Sequence, residues 1–162
     1  MKRRLIIDAQ VFQTPAKDRG MGKYSIELLV SMVPLALKWG WSSVELLFST
    51  QFQEESYSDL ISPRLKDVSY VPLELQPNDP GNPKVTMNNR QVIDKYILST
   101  NQGQTHIDFL ILSLMQGQIC PVFPSGSVGD VNRYLLFYDI VPLMFHEMYL
   151  DNPITNVELT IC

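Results

Sequence analysis

The sequence predicts an α/β fold: a doubly wound, mainly parallel sheet with helices on both faces. Three observations predict it. Strand and helix patterns alternate along the chain, as βα units do. The strongest strand candidates, Leu5-Ile6-Ile7 and Ile107 to Leu112, are almost continuously apolar, as strands covered on both faces must be. A polar loop ending in Asp18-Arg19-Gly20-Met21-Gly22-Lys23-Tyr24 joins the first strand to an amphipathic helix.

Leu5 to Asp8 reads as the first strand. The first helix runs from Met21 to Lys38, because Ile26, Leu29, Val30, Val33 and Leu37 recur at spacings of three and four. Pro34 predicts a kink, or an end to the regular helix near Val33. Gly40 is the C-terminal stop. Val44 to Phe48 is the second strand, followed by a polar helix from Glu54 to Ile61 and a weaker strand from Val68 to Val71. Leu75 to Pro83, dense in proline, asparagine and glycine, reads as a loop and the best candidate for a mobile segment. A helix follows from Asn89 to Ser99, then the strand Ile107 to Leu112. Met115 to Asp130 is a loop with a short strand at Ile119 to Val122, and Tyr134 to Tyr138 is the last strand. Residues 1–152 form one domain by this reading. The tail at 153–162 shows no clear element and reads either as disordered or as an incomplete element of a longer protein.

At 162 residues the chain is long enough to bury roughly two-thirds of its unfolded surface. Hydrophobic residues at 45% and charged residues at 19% are globular values. A net charge of −4 argues against nucleic acid as a partner. The basic cluster Lys2-Arg3-Arg4 reads as a solvated strand lead-in, with contact to an anionic membrane face or substrate as the alternative. Cys120 and Cys162 make no disulfide framework, and no Cys/His spacing suggests a metal site. The longest apolar stretches, Leu28 to Leu37 and Leu135 to Phe145, are interrupted and fall short of the ~18–20 residues that span a bilayer. A cytoplasmic protein, at most peripheral at the inner membrane face, is the expectation.

Open α/β sheets bind ligands beyond the carboxyl ends of their strands. Three segments should meet there: Asp8 with the loop to Gly22, Ser113 to Gly117, and Tyr138-Asp139. Glycines at a helix N-terminus suit phosphate, since free amides and the positive end of the helix dipole point at one spot. The same glycines also serve an ordinary tight turn, and a strand-end aspartate such as Asp8 also caps a nearby amide. The G-x-G-x-x-G fingerprint fails because position 25 is serine, and no Walker A loop is present.

These segments resemble the N-terminal domain of bacterial family-4 (group 1) glycosyltransferases. Ile6-Ile7-Asp8-Ala9 with Arg19-Gly20-Met21-Gly22-Lys23-Tyr24-Ser25 is similar to that family's aspartate-ending strand and "RGIGRY" helix start. Asp108-Phe109-Leu110 with Ser113-Leu114-Met115-Gln116-Gly117 is similar to its "SLFEG" segment. Tyr138-Asp139-Ile140-Val141-Pro142-Leu143, followed by His146-Glu147-Met148-Tyr149-Leu150, is similar to its "HDLIPL…PEXYL" segment. The resemblance covers residues 3–152, with the three segments in family order.

It implies one half of a GT-B enzyme, in which two Rossmann-like domains face a cleft and a sugar passes from a nucleotide-sugar with retention. That donor is a substrate; no cofactor and no obligatory metal are implied. Asp139 and Tyr138 take the catalytic positions; Gly20, Met21 and Gly22 approach the donor diphosphate. Asp8, Arg19, Lys23, Gln116 and His146 support the acceptor or the charge. Implied partners are a C-terminal donor domain, missing here, and a sugar or lipid-linked glycan acceptor of surface polysaccharide assembly. An exposed cleft face offers self-association. Without the donor domain, whose Glu-x7-Glu pattern is nowhere in the chain, no sugar transfer is expected. Two departures stand out: Tyr138 replaces the family's histidine and Gln116 its glutamate. They favour the alternative, a non-catalytic Rossmann-like binding or interaction module diverged from such a transferase.

Overall fold

The structure, a computed structural model, describes residues 2–52, 61, 63–79, 81–101, 105–113 and 119–136. Its centre is a five-stranded, all-parallel sheet of β1 (Lys2–Asp8), β2 (Ser43–Ser49), β3 (Ser69–Leu73), β4 (Thr105–Ile111) and β5 (Val131–Leu135), in the order β3-β2-β1-β4-β5. The fold is α/β and Rossmann-like. Strand order runs one way from β1 to β3 and the other way from β4 to β5, so the topological switch lies between β1 and β4.

Alternation along the strands builds two cores. Leu5 and Ile7, with Val44, Leu46 and Phe48, pack against Ile26, Leu29, Val33 and Ala36 of α1 (Gly20–Lys38). Ile6 and Leu47, with Ile107, Phe109 and Ile111, pack on the opposite face against Val85, Ile93 and Ile97 of α2 (Lys84–Thr100). A one-residue slip of β1 would exchange these two sets, so burial on both faces pins the register.

α1 runs through Pro34 to Lys38, beyond the end expected near Val33. Pro34 is exposed, where water can serve the carbonyl that its missing amide leaves free. The helix closes as expected at Gly40, with φ +97°: the Gly40 amide donates to the Leu37 carbonyl and the Trp41 amide to the Ala36 carbonyl. This is a Schellman closure, which needs the left-handed conformation glycine adopts without strain.

Three element bounds differ from expectation. β1 begins at Lys2, because Arg3 and Arg4 have internal partners and are not a solvated lead-in. α2 begins five residues before Asn89, whose fully buried amide accepts from Gln76 N and donates to the Gln76 and Cys120 carbonyls. That amide pins the start of the expected mobile loop, and Pro77 forms an isolated bridge with Ile119 in place of a strand at Ile119 to Val122. β5 is Val131–Leu135, earlier than Tyr134 to Tyr138, because Asn132 finds a polar partner in Asp108 of β4 and Arg133 one in the Pro124 carbonyl. The expected helix at Glu54 to Ile61 and the tail at 153–162 lie outside the described residues, Ile61 apart.

Candidate functional site

The chain leaves β1 through two short 3₁₀ turns, Gln10–Gln13 and Pro15–Asp18, before α1 begins. Val11 and Phe12 are buried, so this connection folds inward instead of standing open. Thr14 joins the two turns: its hydroxyl donates to the Val11 carbonyl at 2.8 Å and accepts from the Ala16 amide at 3.3 Å. Gln13 clamps the end of β2, its amide donating to the Ser49 carbonyl and accepting from the Ser49 amide.

Asp8 sits beneath this cover at 2% exposure. Its carboxylate accepts from the Gln10 backbone amide at 3.1 Å and from Gln10 Nε2 at 3.1 and 3.0 Å. Burial pushes it up to about 6, and the Gln10 hydrogen bonds offset only part of that shift. Gln10 Oε1 is buried with no hydrogen-bond partner. A proton on Asp8 would supply a donor for that oxygen once the amide turned over, so both observations favour the neutral carboxyl up to about pH 6, above which it ionises. Asp8 thus has the capping role that strand-end aspartates take, facing Gln10 and not the rim.

The two glycines differ. A Cβ at Gly22 would overlap the backbone of Lys17 and Ala16, so glycine there lets the second 3₁₀ turn cross the first turn of α1. At Gly20 a Cβ would meet nothing within 4 Å. Gly20 is exposed together with Arg19 and Lys23. Arg19 occupies the N-cap without a side-chain cap bond, and no acidic residue lies in the first turn. The positive end of the helix dipole is therefore not neutralised by a side chain of the cap or first turn.

Two of the three expected segments come together. Asp8 pairs in register with Ile111, which puts the carboxyl ends of β1 and β4 side by side. Just beyond β4, the Ser113 hydroxyl donates to Met21 Sδ in the first turn of α1 at 3.1 Å. Ile111 also pairs with Leu135, so β5 ends at the same edge. Gln116, Tyr138, Asp139 and His146 lie outside the described residues.

Sequence reasoning missed two polar clusters. On the α2 face, the Arg4 guanidinium makes paired bonds to Glu45 at 2.9 and 2.6 Å, and Tyr96 donates to the same carboxylate. Burial would raise Glu45, but the Arg4 and Ser43 hydrogen bonds and the Arg4 charge outweigh it and hold the carboxyl below its usual range. On the α1 face, Asp108 accepts from Trp41 Nε1 at 2.8 Å, Asn132 Nδ2 at 3.0 Å, Arg3 at 3.1 Å and the Tyr134 hydroxyl at 3.3 Å. His106 stands between Asp108, at 3.3 Å, and Asp130, at 2.6 Å. Arg3 also stacks on the Trp41 ring at 3.7 Å. The partners span Arg3 to Tyr134, so no local spacing could have announced this cluster.

Among the described residues, two cavities open elsewhere than the rim. One, of about 610 Å³, lies on the α1 face beside Trp39, Trp41 and Asp108; the other, of about 260 Å³, lies near Lys2, Arg4 and Thr105. Neither is lined by Asp8, Gly20 or Gly22. Among the described residues, no three His, Cys, Asp or Glu side chains converge to hold a metal ion, and no helix is long and apolar enough to cross a membrane. Compared with protein-family models, curated proteins and solved structures, the chain matches none of them.

Proposed function

We propose that this chain is the N-terminal, acceptor-side domain of a retaining, nucleotide-sugar-dependent glycosyltransferase of surface polysaccharide assembly, inactive without a C-terminal donor domain. One observation carries the reading: the first turn of α1 meets Ser113 at the switch point between β1 and β4. Two segments that resemble the transferase family thus touch at the edge where such sheets take ligands. The exposed Gly20, with Arg19 and Lys23 beside an uncapped helix start, offers amides and charge to a diphosphate. The role of this half is to position the acceptor and stabilise the leaving diphosphate, not to supply a nucleophile. Tyr138 and Asp139 would complete the site from the segment after β5.

The second reading, a non-catalytic binding or interaction module, draws on Gly22 and Asp8. Packing and capping account for both residues without a ligand.

A nucleoside diphosphate titrated into the ¹⁵N-labelled chain separates the two. The transferase reading expects weak binding, on the order of millimolar because half a cleft supplies half the contacts, with amide shifts at Gly20 to Lys23 and Ser113. Shifts confined to other residues, or none, would leave the binding-module reading. Sugar turnover by the chain alone would contradict the need for a donor domain.

A further inference from the structure

The function proposed above uses the carboxyl edge and leaves the α1 face unexplained. That face holds the groove of about 610 Å³, walled by Leu28, Met32, Leu35, Trp39, Trp41 and Leu136. Leu35, Trp39 and Tyr134, which line it, are among the exposed large hydrophobic residues, Trp39 at 67%. Apolar surface gathered this way marks a docking site. Its two charged residues, Arg3 and Asp108, pair with each other, and Asp108 accepts from Trp41, Asn132 and Tyr134 as well, so the groove asks its occupant for apolar surface and not for charge.

The chain brings such an occupant to the rim. Leu136 lines the groove, held there by its amide bond to the Ile111 carbonyl at 2.9 Å. Four residues on begins Ile140-Val141-Pro142-Leu143-Met144-Phe145-His146-Glu147-Met148-Tyr149-Leu150, whose one acidic residue is Glu147. Val141, Met144, Phe145 and Met148 recur at the spacing of an apolar helical stripe. Four residues reach ~13 Å, enough to turn from the rim onto the face.

We propose that the groove is an intramolecular docking surface and that its occupant is the chain's own segment Ile140–Leu150. Tethering decides between this segment and a second copy of the chain. A short link holds the segment at an effective concentration on the order of millimolar, which a free partner of equal chemistry does not reach. The segment leaves Tyr138 and Asp139 to the rim but takes in His146, so docking would withdraw His146 from the acceptor side, while the fluorescence and disulfide readouts below do not depend on sugar transfer.

Trp39 and Trp41 are the two tryptophans of the chain and both line the groove, so tryptophan fluorescence reports on it alone. In the full chain we expect blue-shifted emission and weak quenching by acrylamide. Replacing Val141, Met144 and Met148 together by serine should shift emission to the red and strengthen quenching. Unchanged spectra would overturn the proposal. A second measurement stands if that variant fails to fold: Leu35→Cys with Met144→Cys, in a Cys120→Ala and Cys162→Ser background, under mild oxidation. A disulfide within one monomer supports the proposal. A disulfide-linked dimer assigns the groove to a second copy, and no disulfide removes the segment from it; either overturns the proposal.

Discussion

Asp8 and Asp108 lie on neighbouring strands of one sheet, both almost without solvent, yet their protonation is driven in opposite directions. Burial raises both. At Asp8 the opposing donors all come from Gln10, a neutral residue, and burial prevails. At Asp108 hydrogen bonds from Asn132, Trp41 and Arg3, with the charge of His106, outweigh burial and hold the carboxyl below its usual range. The difference lies in the number and charge of the donors, and in depth, since Asp8 lies further inside the fold than Asp108. It sorts two places in the sheet: a sealed cap where β1 exits, whose carboxyl gives up its proton only near pH 6, and an ionised hub tying β1, β4 and β5 together beneath α1.

The largest expected effect comes from breaking the hub. Asp108→Ala strands the Trp41 and Asn132 donors and leaves Arg3 and His106 without their shared anion, so unfolding free energy should fall by about 3 kcal/mol in denaturant titration. Asp8→Asn should act the other way. Its folded carboxyl, at about 6, lies above its ordinary value of 3.8, so the stability of the parent chain falls as pH climbs through that window. The asparagine variant never ionises, and at pH 7–8 it should be more stable by up to about 3 kcal/mol, with a flatter pH profile. If Asp8→Asn destabilises at pH 8, the burial penalty on the ionised Asp8 carboxylate is wrong.

The glycines sharpen the contrast at the sealed end. Gly22→Ala drives a methyl into the Lys17 backbone and should cost about 1–3 kcal/mol by thermal or chemical unfolding. Gly20→Ala meets open space and should lie within about 0.5 kcal/mol of the parent or gain slightly. Equal losses at both sites would remove the packing account of Gly22. The smallest effect belongs to His106, which the Asp130 hydrogen bond raises and burial opposes, with Asp108 adding to the rise. A raised histidine stabilises most below its ordinary value of 6.5 and loses that contribution as pH rises through its folded value. His106→Gln should therefore weaken the chain more at pH 5.5 than at pH 8.

Much of this architecture is legible in the sequence because it rests on local patterns. The apolar run Leu5-Ile6-Ile7, the stripe from Ile26 to Leu37 and the stop at Gly40 each arise from neighbours in the chain, and each stands where expected. β5 was displaced because Asn132 and Arg133 read as loop until Asp108 and the Pro124 carbonyl supply their partners. The site is harder to read. A glycine that admits a phosphate and one that admits its own backbone look alike in sequence, since both need only the absence of a Cβ. Gly22 is the second kind and Gly20 is free to be the first. Asp8 was legible as a strand-end carboxylate, but its burial depends on how Gln10 to Asp18 fold back over it.

A site-resolved titration of the aspartate carboxyl carbons, with ¹³C-labelled protein and Asp8→Asn and Asp108→Asn for assignment, tests the opposition of the two carboxylates most directly. The account predicts that Asp8 titrates near pH 6 and Asp108 below the ordinary carboxyl range. Two carboxyls titrating together near pH 4 would contradict it.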